Sequence, residues 1–410
     1  MQRQYSHYQL SNGLQVILHP ISSQVAHIAL YINAGSRDET AEEQGMAHFI
    51  EHTIFKGTKK RRAFHVLNRL ESVGGDLNAW TTKEETCLYA ALGKEYLDRA
   101  LELFADVAFN SLFPVNEIEK EKQVVFDEMD SYKDTPAEQI LDDFEGLLFQ
   151  GHSLGGNILG TRKTVGKFNQ KKLSRFFHQF YRPDRMVVAI AGDFQEKKVL
   201  RSAEKYFGCY SSIQPLTPRV SFDNSTAEFH KIEKRKGYQA HSVLGGFAPS
   251  SIDHDRIKAA FLINYLGGPA MTSRLNLLIR EKHGLTYNIE AGIQPMTDTG
   301  YYYIYFGTEA GLLEKTTDLV KGELKRICEE KMGTLTLQQA KRQQTGMILL
   351  SSESPSNRIN SIGRQWLHFQ SVETTEQLIA NINEITQNDI LEMANRMFCP
   401  SNVNSITFHP

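Results

Sequence analysis

Alternating apolar and polar positions open the chain. Tyr8-Gln-Leu-Ser-Asn-Gly-Leu-Gln-Val-Ile-Leu18 reads as two short strands joined at Asn12-Gly13, a tight hairpin turn. A run of apolar residues, Ala26-His-Ile-Ala-Leu-Tyr-Ile32, predicts the next strand. The spacing then becomes helical. Thr40-Ala-Glu-Glu43 has the form of a capping box and Gly57 that of a C-terminal stop, so the stretch between is expected as one helix. Asn116 to Asp130 is a second, Glu/Lys-rich helix.

The order of these patterns repeats. Ser242-Val-Leu-Gly-Gly-Phe247 leads into a helix ending at Gly267-Gly268, as Ala26–Ile32 leads into the helix ending near Gly57. Leu70 to Trp80 with Thr86 to Ala90 has its counterpart in Arg280 to Asn288 with Gly300 to Phe306. The segment from Ser211, rich in Pro, Ser and Thr, separates the two copies. The expectation is an α+β chain of two homologous domains, residues 1–210 and 229–410, joined by a linker at 211–228. Each domain is expected to be mainly antiparallel sheet packed with helices.

Composition narrows the setting. The chain has 410 residues, 40% hydrophobic and 23% charged, with 46 basic against 48 acidic side chains and a net charge of −2. Such a balance gives no reason to expect nucleic acid or an anionic membrane as a partner. No apolar run reaches the roughly 20 residues needed to cross a bilayer. The N-terminal residues show no secretory pattern, so the expected location is cytoplasmic. Cys87, Cys209, Cys328 and Cys399 are scattered and form no C-x-x-C pair, which argues against a thiolate metal site.

The candidate chemistry lies in His48-Phe-Ile-Glu-His52. On a helix His48 and His52 are i and i+4, so both imidazoles project from one face and can reach one Zn²⁺. Glu51, displaced around the helix, can act on a water activated by the metal without being a ligand. This inverted H-x-x-E-H order is a metallopeptidase signature. A catalytic zinc site needs a third protein ligand. Glu121 and Glu128 share one face of the Glu/Lys-rich helix, two turns or about 10 Å apart. Both cannot bind one ion directly, so one is expected as the ligand and the other as a group that orients it. The spacing alone does not choose between them.

With these carboxylates in place the chain resembles the inverted-zincin peptidases of the pitrilysin type, the family of insulin-degrading enzyme and mitochondrial processing peptidase. The resemblance runs nearly end to end. It is carried by Gly45 to Gly57, Gly74 to Thr81, Gly151 to Thr161 and Tyr181 to Gly192. It implies His48, His52 and Glu128 as ligands of one zinc per chain, Glu51 as the general base and Glu121 as the supporting carboxylate. Asn78 and Ala79 match the edge strand that pairs with an extended peptide. Ser273 to Tyr287 is similar to the family's carboxy-terminal substrate segment, which implies that Arg280 contacts the peptide backbone and Tyr287 the developing oxyanion.

The expected activity is therefore that of a zinc endopeptidase acting on peptides or small unstructured proteins, with no organic cofactor. The second copy has Phe261-Leu-Ile-Asn-Tyr-Leu-Gly-Gly268 where the first has its zinc motif. Family members of this length pair two chains around a peptide, so a homodimer is the expected assembly. The alternatives are the catalytic half of an obligate heterodimer, or a non-catalytic scaffold of the same fold.

Overall fold

The computed structural model describes residues 5–211, 218–223 and 228–410. The opening alternation forms β1 (Ser6–Gln9) and β2 (Gln15–Pro20), paired antiparallel from Ser6↔Leu18 to Gln9↔Gln15. Their turn is one residue longer than the two-residue form that Asn-Gly favours. Leu10 and Leu14 close a loop of Ser11, Asn12 and Gly13, with Gly13 at φ +93°. Only glycine takes that conformation without strain.

The first sheet adds β3 (Val25–Ile32), β4 (Asp76–Thr81), β5 (Thr86–Gly93) and β6 (Met186–Gly192), in the order β1-β2-β6-β3-β5-β4. Its pairings are antiparallel except β2 with β6. Every residue of β6 is buried, which explains its unbroken apolar sequence. Strand β4 forms the far edge of the sheet. The helices of this half are α1 (Met46–Ile54), α2 (Ala63–Glu71), α3 (Leu97–Asn110), α4 (Val115–Lys133), α5 (Pro136–Leu148), the single turn α6 (Arg162–Val165), α7 (Gln170–Phe180) and α8 (Glu196–Phe207).

The second sheet holds β7 (His230–Lys234), β8 (Gln239–Phe247), β9 (Thr286–Pro295), β10 (Gly300–Glu309) and β11 (Asn404–His409), in the order β7-β11-β8-β10-β9. Here too one pairing is parallel, β7 with β11. With β1 set aside, replacing β2, β6, β3, β5 and β4 by β7, β11, β8, β10 and β9 turns the first order into the second, so the duplication extends to strand direction. The remaining helices are α9 (Arg256–Gly267), α10 (Leu313–Glu329), α11 (Thr334–Ser352), α12 (Pro355–Phe369), α13 (Thr375–Glu384) and α14 (Gln387–Met397). Among the described residues, no helix is long and apolar enough to cross a membrane.

The linker expected at 211–228 does fall between the two sheets in sequence; its residues 212–217 and 224–227 lie outside the described residues. The two compact units, however, are not the contiguous halves 1–210 and 229–410. One comprises the residues up to Met129 with Gly156–Arg219 and Ser351–Val372; the other comprises Asp130–Gly155, Val220–Leu350 and Glu373–Pro410. Each half thus lends one helix to the other's sheet. Helix α5 buries Ile140, Phe144 and Leu148 with Val243, Ile406 and Phe408 of the second sheet. The opposite face of that sheet is covered by Phe261, Leu262, Leu324, Met393 and Met397. Helix α12 sets Ile359 and Ile362 against Ile17, Ala29, Val187 and Ala189 of the first sheet. The reason sequence position misled is physical: an amphipathic helix records which face it buries, not which sheet receives it.

Polar contacts fix α12 in register. Tyr31 Oη donates to Asn360 Oδ1 at 2.7 Å. The buried Glu85 carboxylate meets Arg364 Nε at 2.7 Å and His368 Nε2 at 2.5 Å. Residues 1–219 expressed alone lack this helix, so they should bind a hydrophobic dye and unfold without a sharp transition. A dye-silent fragment with a cooperative thermal transition would contradict the assignment of α12 to the first unit.

Candidate metal centre

Helix α1 starts at Met46, later than the capping signal suggests. The Thr40 hydroxyl does reach Glu43 Oε2 at 3.0 Å, but this box closes the turn ahead of the helix, and Gly45 at φ +90° intervenes. From Met46 onward the helical spacing holds, so His48 and His52 sit on one face with ring centroids 4.6 Å apart. Helix α4 supplies the two carboxylates, and His48, His52, Glu121 and Glu128 all lie within the first unit.

The two carboxylates straddle the His52 ring. Glu128 Oε2 lies 3.5 Å from His52 Nε2 and 3.7 Å from His48 Nε2. Glu121 Oε2 lies on the other side, 3.3 Å from His52 Nδ1. His48, His52 and Glu128 each offer one ligand atom, and these atoms lie within 4.8 Å of one another. Donors bound at about 2.0–2.1 Å on a tetrahedral ion are about 3.3 Å apart, so the cluster is close to ligation geometry. The buried Glu128 Oε2 has no hydrogen-bond partner, and neither has His48 Nδ1. A buried acceptor without a donor is costly, and a cation placed among these atoms removes that cost for Glu128. The residues present therefore fit a divalent metal of the kind that two imidazoles and a carboxylate select.

The electrostatics of the two imidazoles differ. Burial and the neighbouring His52 push the His48 imidazole down to about 4, which keeps it in the neutral form a ligand needs. Burial also pulls on His52, but contacts to Glu128 and Glu121 outweigh it and raise that group. The same contact with His52 holds Glu128 below the usual carboxylate range. Glu51 is raised, chiefly by burial, with the Thr81 hydroxyl and His52 opposing.

Two residues that sequence reading passed over complete the surroundings. Lys56 Nζ lies 2.7 Å from Glu121 Oε1. Glu121 thus bridges Lys56 Nζ and His52 Nδ1, while His52 Nε2 faces Glu128. Thr81, the last residue of β4, is the group nearest in effect to Glu51 after burial. Lys56 follows His52 by four residues, a spacing that carried the signal; Thr81 had none. Asn78 and Ala79 lie in the middle of the edge strand β4. Asn78 Oδ1 accepts from Ala79 N at 2.8 Å. Arg280 and Tyr287 belong to the second unit. Arg280 lies on a π-helical turn, Asn276–Lys282, with its side chain 40% exposed, and Tyr287 in the edge strand β9 is 88% exposed.

A helix with the order H-x-x-E-H, joined by a carboxylate from a second helix, defines an inverted-motif metallopeptidase centre. Residues 15–162 match the family model described as Insulinase (Peptidase family M16), and residues 167–344 match Peptidase M16 inactive domain. The chain is 33% identical to the uncharacterized zinc protease YmxG of Bacillus subtilis over 95% of both proteins. It is 31% identical to an uncharacterized zinc protease of Rickettsia bellii, over 99% of this chain and 98% of that one. Its fold is that of a protease from Helicobacter pylori, with a TM-score of 0.92 at 20% identity over 99% of each chain. The structure titled peptidase M16 inactive domain from Pseudomonas fluorescens also superposes with a TM-score of 0.92, at 19% identity. The chain belongs to peptidase family M16, as a member with two homologous domains.

Ligand binding to the native state alone raises stability by about 2.7 kcal/mol at a hundredfold excess over Kd. Adding Zn²⁺ or Co²⁺ to metal-stripped protein should therefore raise its unfolding temperature, and His52→Ala should abolish the rise. An equal rise in the variant would place the metal elsewhere.

Proposed function

We propose that this chain is a zinc-dependent endopeptidase that hydrolyses extended peptides or small unstructured proteins. The observation that carries this reading is the convergence of His48 Nε2, His52 Nε2 and Glu128 Oε2, with Glu51 on the same helix. Zinc held by these three residues supplies Lewis acidity, making a water more acidic and polarising a carbonyl. Glu51 takes the proton of the attacking water and hands it to the departing amine. Burial raises its carboxyl, which makes it a stronger base toward that water. Glu121 acts through His52, holding the imidazole in the tautomer that presents Nε2.

The open edge of β4 receives the substrate as an added strand. Main-chain bonds to Asn78 and Ala79 would hold an extended peptide and leave side-chain selectivity loose. Arg280 and Tyr287 then grip the peptide backbone and the developing oxyanion. The reading is supported by the exposure of both side chains and by their match to the family's substrate segment. With one zinc site per chain, two copies form a homodimer in which the second unit of one completes the centre of the other. The four free thiols suit the reducing cytoplasm.

Glu51→Gln should keep one zinc per chain while its kcat on an unstructured peptide falls by about 10²–10⁴. Mixing that variant with Arg280→Ala tests the assembly in the same assay. If sites form across chains, mixed dimers regain one intact site and activity rises above that of either variant. No recovery after verified chain exchange would contradict the shared site, and undiminished Glu51→Gln activity would contradict the mechanism.

A further inference from the structure

The start of α1 has no side-chain cap of its own, since Gly45 occupies the N-cap position. Met46 N donates to the Glu43 carbonyl, and the amides of Gly45 and Ala47 are met from outside the helix by a single buried side chain. Glu39 Oε2 accepts from Gly45 N at 2.8 Å and Glu39 Oε1 accepts from Ala47 N at 2.7 Å. Both carboxylate oxygens are thus committed to one helix end, where the macrodipole also favours negative charge. Ala47 immediately precedes His48. A rigid turn of helix therefore links the Glu39 carboxylate to both imidazoles.

The opposite side of the same turn is closed by backbone. A Cβ built on Gly45 would lie 2.6 Å from the Leu159 carbonyl oxygen, and one on Gly160 would lie 2.2 Å from that of Gln44. Leu159 and Gly160 therefore press on the residues where α1 begins. Lys83 ties the two sides together. Its Nζ donates to the Gly156 carbonyl at 2.6 Å, and its charge favours the ionised form of Glu39. Burial pushes the Glu39 carboxyl upward, and the two amides pull it the other way. The mechanism uses none of these groups, yet they fix where the metal-bearing helix begins.

We infer that Glu39 is a positioning residue for the metal centre, its carboxylate clamping the first turn of α1 so that His48 and His52 meet Glu128 in ligation geometry. The inference rests on the proposed zinc site. A neutral amide at this position keeps one acceptor oxygen and turns an NH₂ donor toward one of the two backbone N–H groups. Loss of the clamp lets the first turn fray and loosens His48 against the other donors, without touching substrate.

The experiment compares wild type, Glu39→Gln and Thr40→Ala. Thr40 belongs to the neighbouring box but does not touch α1. Zinc affinity is read by competition with a chromophoric chelator, beside far-UV circular dichroism and peptide kinetics. Glu39→Gln should keep the wild-type circular dichroism yet bind zinc at least tenfold more weakly, with kcat reduced and KM unchanged at subsaturating zinc. Thr40→Ala should match wild type. Should Glu39→Gln fail to fold, Glu39→Asp, which keeps the charge one methylene short, should fold and show a smaller loss of affinity. Wild-type zinc affinity in the folded Glu39 variant, or an equal loss in Thr40→Ala, overturns the inference and leaves the zinc site standing. A wild-type protein that binds no zinc overturns both.

Discussion

The two nitrogens of His52 and the two carboxylates that straddle them hold the centre together. Glu121 and Glu128 are seven residues apart on α4, about 10 Å along the helix axis. That distance is too long for both to bind one ion, and about right for placing one at each side of an imidazole. Glu128 therefore faces the Nε2 side that His48 shares, and Glu121 faces Nδ1 with Lys56 behind it. Once this alignment is set, the division of labour follows. One carboxylate stands beside both Nε2 atoms, and the other stands beside the far nitrogen of His52.

The alignment has a cost. His48 and Glu121 are buried, and Glu128 Oε2 is sealed from solvent without a hydrogen bond. Desolvated charges of this kind persist only where surrounding structure over-determines them. Here the first sheet and its helices supply that rigidity. The fully buried β6 forms part of its middle, and α12, contributed from far along the chain, covers one face through Ile359, Ile362 and the Glu85 ion pairs. The edge strand β4 meets β5 through the turn that Glu85 anchors, so the same contacts that hold α12 steady the strand proposed to receive substrate. The second sheet repeats the strand order without the zinc motif.

Much of this was legible in the sequence because periodicity reports local structure directly. The strands from Ala26, Thr86 and Ser242 and the helix to Gly267 lie where the patterns put them. The pair His48 and His52 needed only the helical repeat. The choice between Glu121 and Glu128 was not legible from spacing, since both share a face; it depends on the offset between α1 and α4, which only tertiary packing sets. The same limit explains the interleaved units. The amphipathic patterns of α5 and α12 predict burial, but exchange of helices across the linker leaves no local trace. The Thr40–Glu43 box misled for a related reason. Thr40 and Glu43 do meet through their side chains, yet the helix behind them is capped by Glu39 from outside.

The most direct test of the central claim is anomalous diffraction at the zinc absorption edge from crystals of protein grown with zinc. The account predicts one strong anomalous peak per chain, about 2 Å from His48 Nε2, His52 Nε2 and a Glu128 carboxylate oxygen, with Glu121 outside bonding distance. A peak ligated by Glu121 in place of Glu128, or no peak between the two histidines, would contradict it.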